Sequence, residues 1–239
     1  PEKIAAIIME GVVGSNGLII PPDDYWPRIR QICDKYGILL IDDEVMSGWG
    51  RTGKWFAVDH WGVTPDIITT AKGITSGYIP FGVCIVTEPI ARYFDDKYLF
   101  AGLTYNGHAL ACACALAVIN VYIEDGLIDN AAKTGKILGE ALEGIKSRHP
   151  SVGDVRSIGL FSALELVVNR DTKEIFPAAK MAELGKYLRE HGLFTFIMAN
   201  NMGSILFVVP PLCITKDELQ AGLDIVEKAI GETTDKAVK

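Results

Sequence analysis

Two short runs in the first third of the chain carry almost no polar side chain, and each ends in charge. Gly37–Ile41 (GILLI) leads directly into Asp42-Asp43-Glu44, while IITTA follows Asp66 and ends at Lys72. A strand with one wet face alternates apolar and polar residues, so an unbroken apolar or β-branched run reads as a strand covered on both faces. Ile4–Met9 and Gly82–Val86 have the same texture, and Pro21–Tyr36 mixes polar and apolar residues as a helix does. Short buried strands separated by a helix predict an α/β arrangement with a mostly parallel sheet. The lysine is the anomaly. An ammonium carried into an interior costs several kcal/mol unless it is paired or neutralised.

The alanine-rich stretch Asn106–Glu124 (NGHALACACALAVINVYIE) predicts a well-buried helix. Beyond about residue 125 the texture changes. Ile128–Arg148 is amphipathic, Val152–Val168 reads as strand, turn, strand, and Met181–His191 as another helix. Leu193–Ala199 and Ile205–Val209 follow as strands, Lys216–Ile230 as a closing helix, and GETTDKAVK as a frayed polar tail. Helices and strands segregated this way predict a smaller α+β unit, giving a division into residues 1–125 and 126–239.

Composition removes several functions. With 23 Lys+Arg against 30 Asp+Glu, the net charge of −7 argues against nucleic acid or a polybasic membrane surface. No apolar run reaches the roughly 20 residues of a membrane span. The odd number of cysteines, 5, mostly in apolar runs, predicts reduced thiols and a cytoplasmic protein. Cys112-Ala113-Cys114 lacks a partner cluster, so no metal is expected.

In open α/β sheets ligands collect at the carboxyl ends of the strands. Asp43 and Lys72 are a carboxylate and an amine placed at two such ends. Together they suit a cofactor that forms a Schiff base with lysine and needs its ring nitrogen held protonated. By spacing alone, a structural ion pair or two solvated side chains is the favoured reading. The wider context is more specific. Leu39–Gly82, LLIDDEVMSGWGRTGKWFAVDHWGVTPDIITTAKGITSGYIPFG, resembles the class III, or omega-type, aminotransferases of the fold type I superfamily that use pyridoxal 5'-phosphate (PLP). The resemblance runs on through LTYNGHALACACALA, VRSIGLFSALEL and VPPLCIT.

The resemblance implies that Lys72 is the catalytic Schiff-base lysine and proton shuttle, and that Asp43 pairs with the pyridinium nitrogen. It puts Val45, two residues beyond Asp43 on an extended chain, against a ring face. Thr104, leading into the alanine-rich helix, is to bind the phosphate of a neighbouring subunit's cofactor; capping its own helix is the plain alternative. Glu10 is expected near the substrate, although Gly11 stands where relatives have proline. Asp42 reads as structural, Arg51 as a turn brace and His108 as a buried, hydrogen-bonded residue.

By the same resemblance, residues 1–125 are the second half of the large PLP-binding domain and 126–239 the small C-terminal domain. The chain, opening Pro-Glu-Lys, reads as a C-terminal portion whose N-terminal segment supplies most phosphate contacts. The implied reaction moves an amino group from an ω-amino compound, such as taurine or β-alanine, to a keto acid such as pyruvate, in a homodimer. The segment from Ala199 to Leu212 lacks the arginine with which many relatives hold a substrate carboxylate. Other fold type I chemistry (an aminomutase or a decarboxylase) and a non-catalytic half-protein remain alternatives.

Overall fold

The first four strands pair in sequence order into one sheet: β1 (Ala6–Glu10), β2 (Leu39–Asp43), β3 (Ile67–Thr70) and β4 (Val83–Val86). The first three are parallel, and β4 closes the sheet antiparallel to β3. The computed structural model describes residues 1–201 and 203–238. Met202, in the Ala199–Leu212 segment, and Lys239, at the end of the polar tail, lie outside the described residues.

Helix α1 (Tyr25–Tyr36) connects β1 to β2 and stops at Gly37, whose φ of 64° suits the left-handed C-cap that glycine adopts without strain. Its buried Trp26 and Cys33 pack with Ile38, Leu40, Val58 and Val63, the apolar cluster beneath the sheet. Asp66 staples the strands: its Oδ2 accepts from the Leu40 N–H at 2.8 Å and from Arg30 at 2.8 Å. The Pro-Asp-Ile motif thus sets the start of β3 beside β2.

Coverage of this sheet is incomplete. Ile4, Ile8 and Leu39 are 52%, 61% and 38% exposed, where unbroken apolar strands predict burial on both faces. The six-residue helix α2 (Glu88–Tyr93) and then α3 (Ala109–Glu124) follow. The expected burial of the alanine-rich helix is met only in part. Ala111, Ala115 and Tyr122 are buried, while Leu110, Leu116 and Ile123 are each more than 60% exposed.

The chain divides into two compact units, one of Pro1–Val12 with Pro21–Ile128 and one of Val13–Ile20 with Asp129–Lys239. In the second, α4 (Leu127–Arg148), α5 (Ala178–Glu190) and α6 (Lys216–Glu232) accompany an antiparallel sheet. Its strands are β5 (Val152–Ile158), β6 (Phe161–Asn169), β8 (Ile197–Asn200) and β9 (Gly203–Val208), ordered β5-β6-β9-β8, with the short β7 (Glu174–Ile175) beside β6. Gly135 on α4 is obligatory, because a Cβ there would lie 2.4 Å from the Gly159 backbone.

The hairpin around Val13–Ile19 joins this second unit through Arg156, whose Nε donates to the Gly17 carbonyl at 2.7 Å while its guanidinium bonds Glu165. The tail is not frayed as expected. Thr233 and Thr234 are buried, and Asp235 binds the His149 ring at 2.6 Å and the Ser151 hydroxyl at 2.6 Å.

Candidate active site

The parallel register brings three strand ends level. Glu10 on β1 lies opposite Asp43 on β2, which lies opposite Thr69 on β3. Lys72 follows three residues later, so Glu10, Asp43 and Lys72 gather at the carboxyl edge of one sheet. Asp43 is partly exposed, and its Oδ1 accepts the Val45 N–H at 3.0 Å. That bond orients the carboxylate and leaves Oδ2 for another donor. It also corrects the geometry expected of Val45, because β2 ends at Asp43 and Val45 already lies in the turn that follows.

Lys72 opens a 3₁₀ turn (Lys72–Thr75) after Ala71, with φ at 45°. The residue is exposed, so the burial cost foreseen for its ammonium does not arise within this chain. An exposed primary amine beside an oriented carboxylate is a donor set that fits an aldehyde-bearing nitrogen heterocycle. Gly73 leaves the turn no slack on its inner side, where an added Cβ would lie 2.7 Å from Trp49 Cβ.

Thr104 is not brought to a helix terminus. It is exposed in the turn Thr104–Gly107, and α3 begins only at Ala109 with His108 as N-cap. The alternative role, capping this helix, does not fall to its side chain, since His108 holds the N-cap position. His108 is exposed rather than buried. Arg51 has its pKa lowered to about 10 by burial, and the nearby Tyr122 phenol is pushed up by burial in turn.

Directly behind the strand end lies a second carboxyl pair whose chemistry the sequence does not announce. Asp42 and Glu44 are both 0% exposed. Glu44 accepts from the Ser47 hydroxyl at 2.5 Å and from the Val58 N–H at 2.9 Å. Neither oxygen of Asp42 has a protein donor. Two ionised carboxylates side by side here would repel with no donor on Asp42 to offset the charge, so Asp42 holds a proton. Burial first, and the charge of Glu44 second, push Asp42 up to about 9; burial raises Glu44 as well. Part of the signal was present in the strand alternation, which sends Asp42 to the face opposite Asp43.

Sequence reading also passed over Trp49 and Tyr122. The Trp49 indole N–H donates to Thr70 Oγ1 at 2.6 Å, and the Tyr122 hydroxyl donates to the Gly73 carbonyl at 2.8 Å. A lone tyrosine in a largely apolar helix was the available clue for the second.

The profile of the class-III aminotransferases matches residues 1–230. A putrescine–pyruvate aminotransferase of Pseudomonas aeruginosa is 38% identical over 234 residues, 97% of this chain and 50% of that protein. A taurine–pyruvate aminotransferase of Bilophila wadsworthia is 38% identical over 236 residues, 94% of this chain and 52% of that protein. Among solved structures, a taurine:2-oxoglutarate aminotransferase from Bifidobacterium kashiwanohense, in complex with PLP and glutamate, superimposes with a TM-score of 0.92. It is 41% identical, covering 98% of this chain and 52% of the other. The chain therefore spans about half the length of the relatives it matches.

Proposed function

The chain belongs to the class-III aminotransferases, PLP-dependent enzymes of fold type I, and on that premise we propose that the whole protein moves an amino group from an ω-amino compound to pyruvate. The observation that carries the reading is the level alignment of Glu10, Asp43 and Thr69 with Lys72 just beyond. The names of two relatives support pyruvate, and a third protein uses 2-oxoglutarate. The lack of an arginine from Ala199 to Leu212 favours the monocarboxylic acceptor, since a second carboxylate calls for a forked cation.

Bound at this edge, PLP would supply an aldehyde and a pyridinium ring able to draw electrons from the amino-bearing carbon. Lys72 would hold the group covalently through its amine, and that amine is the base placed to move a proton at the substrate carbon. Asp43, oriented by the Val45 N–H, would keep the ring nitrogen protonated. Val45 would lie against the ring, and Glu10 would face the substrate. Thr104 would reach the phosphate of a partner subunit's cofactor in a homodimer, a role for which an exposed turn is suited.

Residues 1–125 would then be the second half of the large cofactor-binding domain and 126–239 the small C-terminal domain, completed by an N-terminal segment of the same protein. The five cysteines are free, which supports the reducing cytoplasm. No single helix among the described residues is long and apolar enough to cross a membrane.

Borohydride reduction followed by peptide mass spectrometry tests the cofactor assignment. The pyridoxyl group should be on Lys72, and a different lysine would remove the reading. Pyruvate-dependent formation of alanine from an amine tests the reaction; release of carbon dioxide without alanine would identify a decarboxylase instead.

A further inference from the structure

Left-handed backbone is unfavourable for residues with a Cβ, and lysine has no short polar group to offset it. Yet Trp49, Lys72 and Ser76 all have positive φ, at 59°, 45° and 50°, and all three belong to one small region. Lys72 is exposed, so its own side chain is not packed to force this conformation. The restraint must come from the residues that flank it.

Both flanks are gripped by aromatic side chains. On the N-terminal side, the Trp49 indole donates to Thr70 Oγ1 at 2.6 Å, and that hydroxyl donates to the Glu44 carbonyl at 3.3 Å. On the C-terminal side, Trp49 Cβ presses on Gly73 so closely that a Cβ there would come within 2.7 Å. The Tyr122 hydroxyl donates to the Gly73 carbonyl at 2.8 Å, which also accepts the Ser76 N–H at 3.1 Å. The two rings stack on one another, with centroids 6.3 Å apart and planes 21° apart. Trp49 and Tyr122 are each only 7% exposed and Thr70 2%, so water does not compete for these bonds. A buried tyrosine usually finds some acceptor. Here the acceptor is the carbonyl next to the lysine, and the stacked partner holds the strand on its other side.

We propose that Trp49 and Tyr122 are positioning residues for Lys72: together they clamp Thr70 and Gly73, hold the lysine in its left-handed conformation and so fix the direction of its amine. The proposal rests on the reading of Lys72 as the amine that carries the cofactor. It predicts that the clamp matters to how fast the amine reacts and how often the turn opens, more than to whether the protein folds.

The test uses the full-length enzyme and two changes, the near-isosteric Tyr122→Phe and the smaller Trp49→Phe, with Tyr187→Phe in the second unit as a control. Two quantities are measured besides turnover: the rate at which added PLP becomes borohydride-trapped on Lys72 in cofactor-free enzyme, and amide exchange at Ile74 and Ser76, whose N–H groups close the turn on Ala71 and Gly73. Loss of one buried hydrogen bond to an oriented group should slow trapping about fivefold to tenfold in each variant and speed exchange at these amides similarly. The control should change neither. Trapping and exchange at the unaltered rates, with the label still on Lys72, would overturn the clamp and leave the cofactor assignment standing. Label on another lysine in the unaltered enzyme would overturn both.

Discussion

Replacing Asp42 with asparagine should make the protein less sensitive to alkaline pH, and the buried pair sets the size of the effect. In the folded protein the Asp42 carboxyl titrates at about 9 against a free value of 3.8. Folded molecules therefore keep a proton that unfolded chains release once the pH exceeds about 4. Binding more protons in the folded state makes stability fall as pH rises. The loss begins near the free value, accumulates across the interval and levels off above about pH 9. A gap of about five pH units at about 1.4 kcal/mol each sets a ceiling of roughly 7 kcal/mol, and relaxation and water entry bring the expected loss to a few kcal/mol.

Asparagine fills the same space and cannot ionise. Urea denaturation of wild type and Asp42→Asn at pH 5, 7 and 9 measures the difference directly, since titratable groups other than the neighbouring Glu44 largely cancel in the subtraction. At pH 5 the variant should be equal or up to about 1 kcal/mol less stable, from altered hydrogen-bond geometry. At pH 9 it should be more stable by about 2 kcal/mol or more. A difference constant within about 0.5 kcal/mol over this range would show that Asp42 does not hold its proton, and the account of a protonated Asp42 would be wrong.

Three further outcomes follow from the same geometry. Asp43→Asn should still take up PLP, detected by absorbance, yet transaminate orders of magnitude more slowly, because a neutral pyridine is a poor electron sink; near-normal turnover would remove the role. Thr104→Ala and Lys72→Ala subunits, each weak or inactive alone, should regain one working site when mixed as heterodimers. No recovery beyond the threonine variant's own activity, in heterodimers shown to form, would confine Thr104 to its own subunit. Asp66→Ala should cost about 3 kcal/mol in denaturation experiments, since it leaves the Leu40 N–H and the partly buried Arg30 without their shared acceptor; a loss below about 1 kcal/mol would show that the staple is dispensable.

The unbroken apolar runs pointed to a mostly parallel sheet in the first region, and three of its four strands are parallel, although Ile8 and Leu39 stay exposed within this chain. Their ends determined where chemistry could gather, since a carboxylate after GILLI and a lysine after IITTA must emerge at the same edge of parallel neighbours. Membership of the family was likewise legible, being written in spaced motifs that survive without coordinates. Tertiary structure decided what depends on distant partners. Sequence alone placed Lys72 in an interior, whereas the strand ends at Thr70 and the lysine stands exposed in a turn. It placed Thr104 at a helix start that begins five residues later, because helix boundaries turn on local hydrogen bonds that composition does not encode.

Asp42 read as a structural residue, and so it is. Its proton, however, follows from the enclosure of two carboxyls by Gly11, Ala57 and Val58, residues far apart in the chain. The grip of Trp49 and Tyr122 on the lysine turn is of the same kind, joining residues 73 positions apart through Thr70 and Gly73. Periodicity reports which face a residue occupies; what meets it across that face is settled only when the chain has folded.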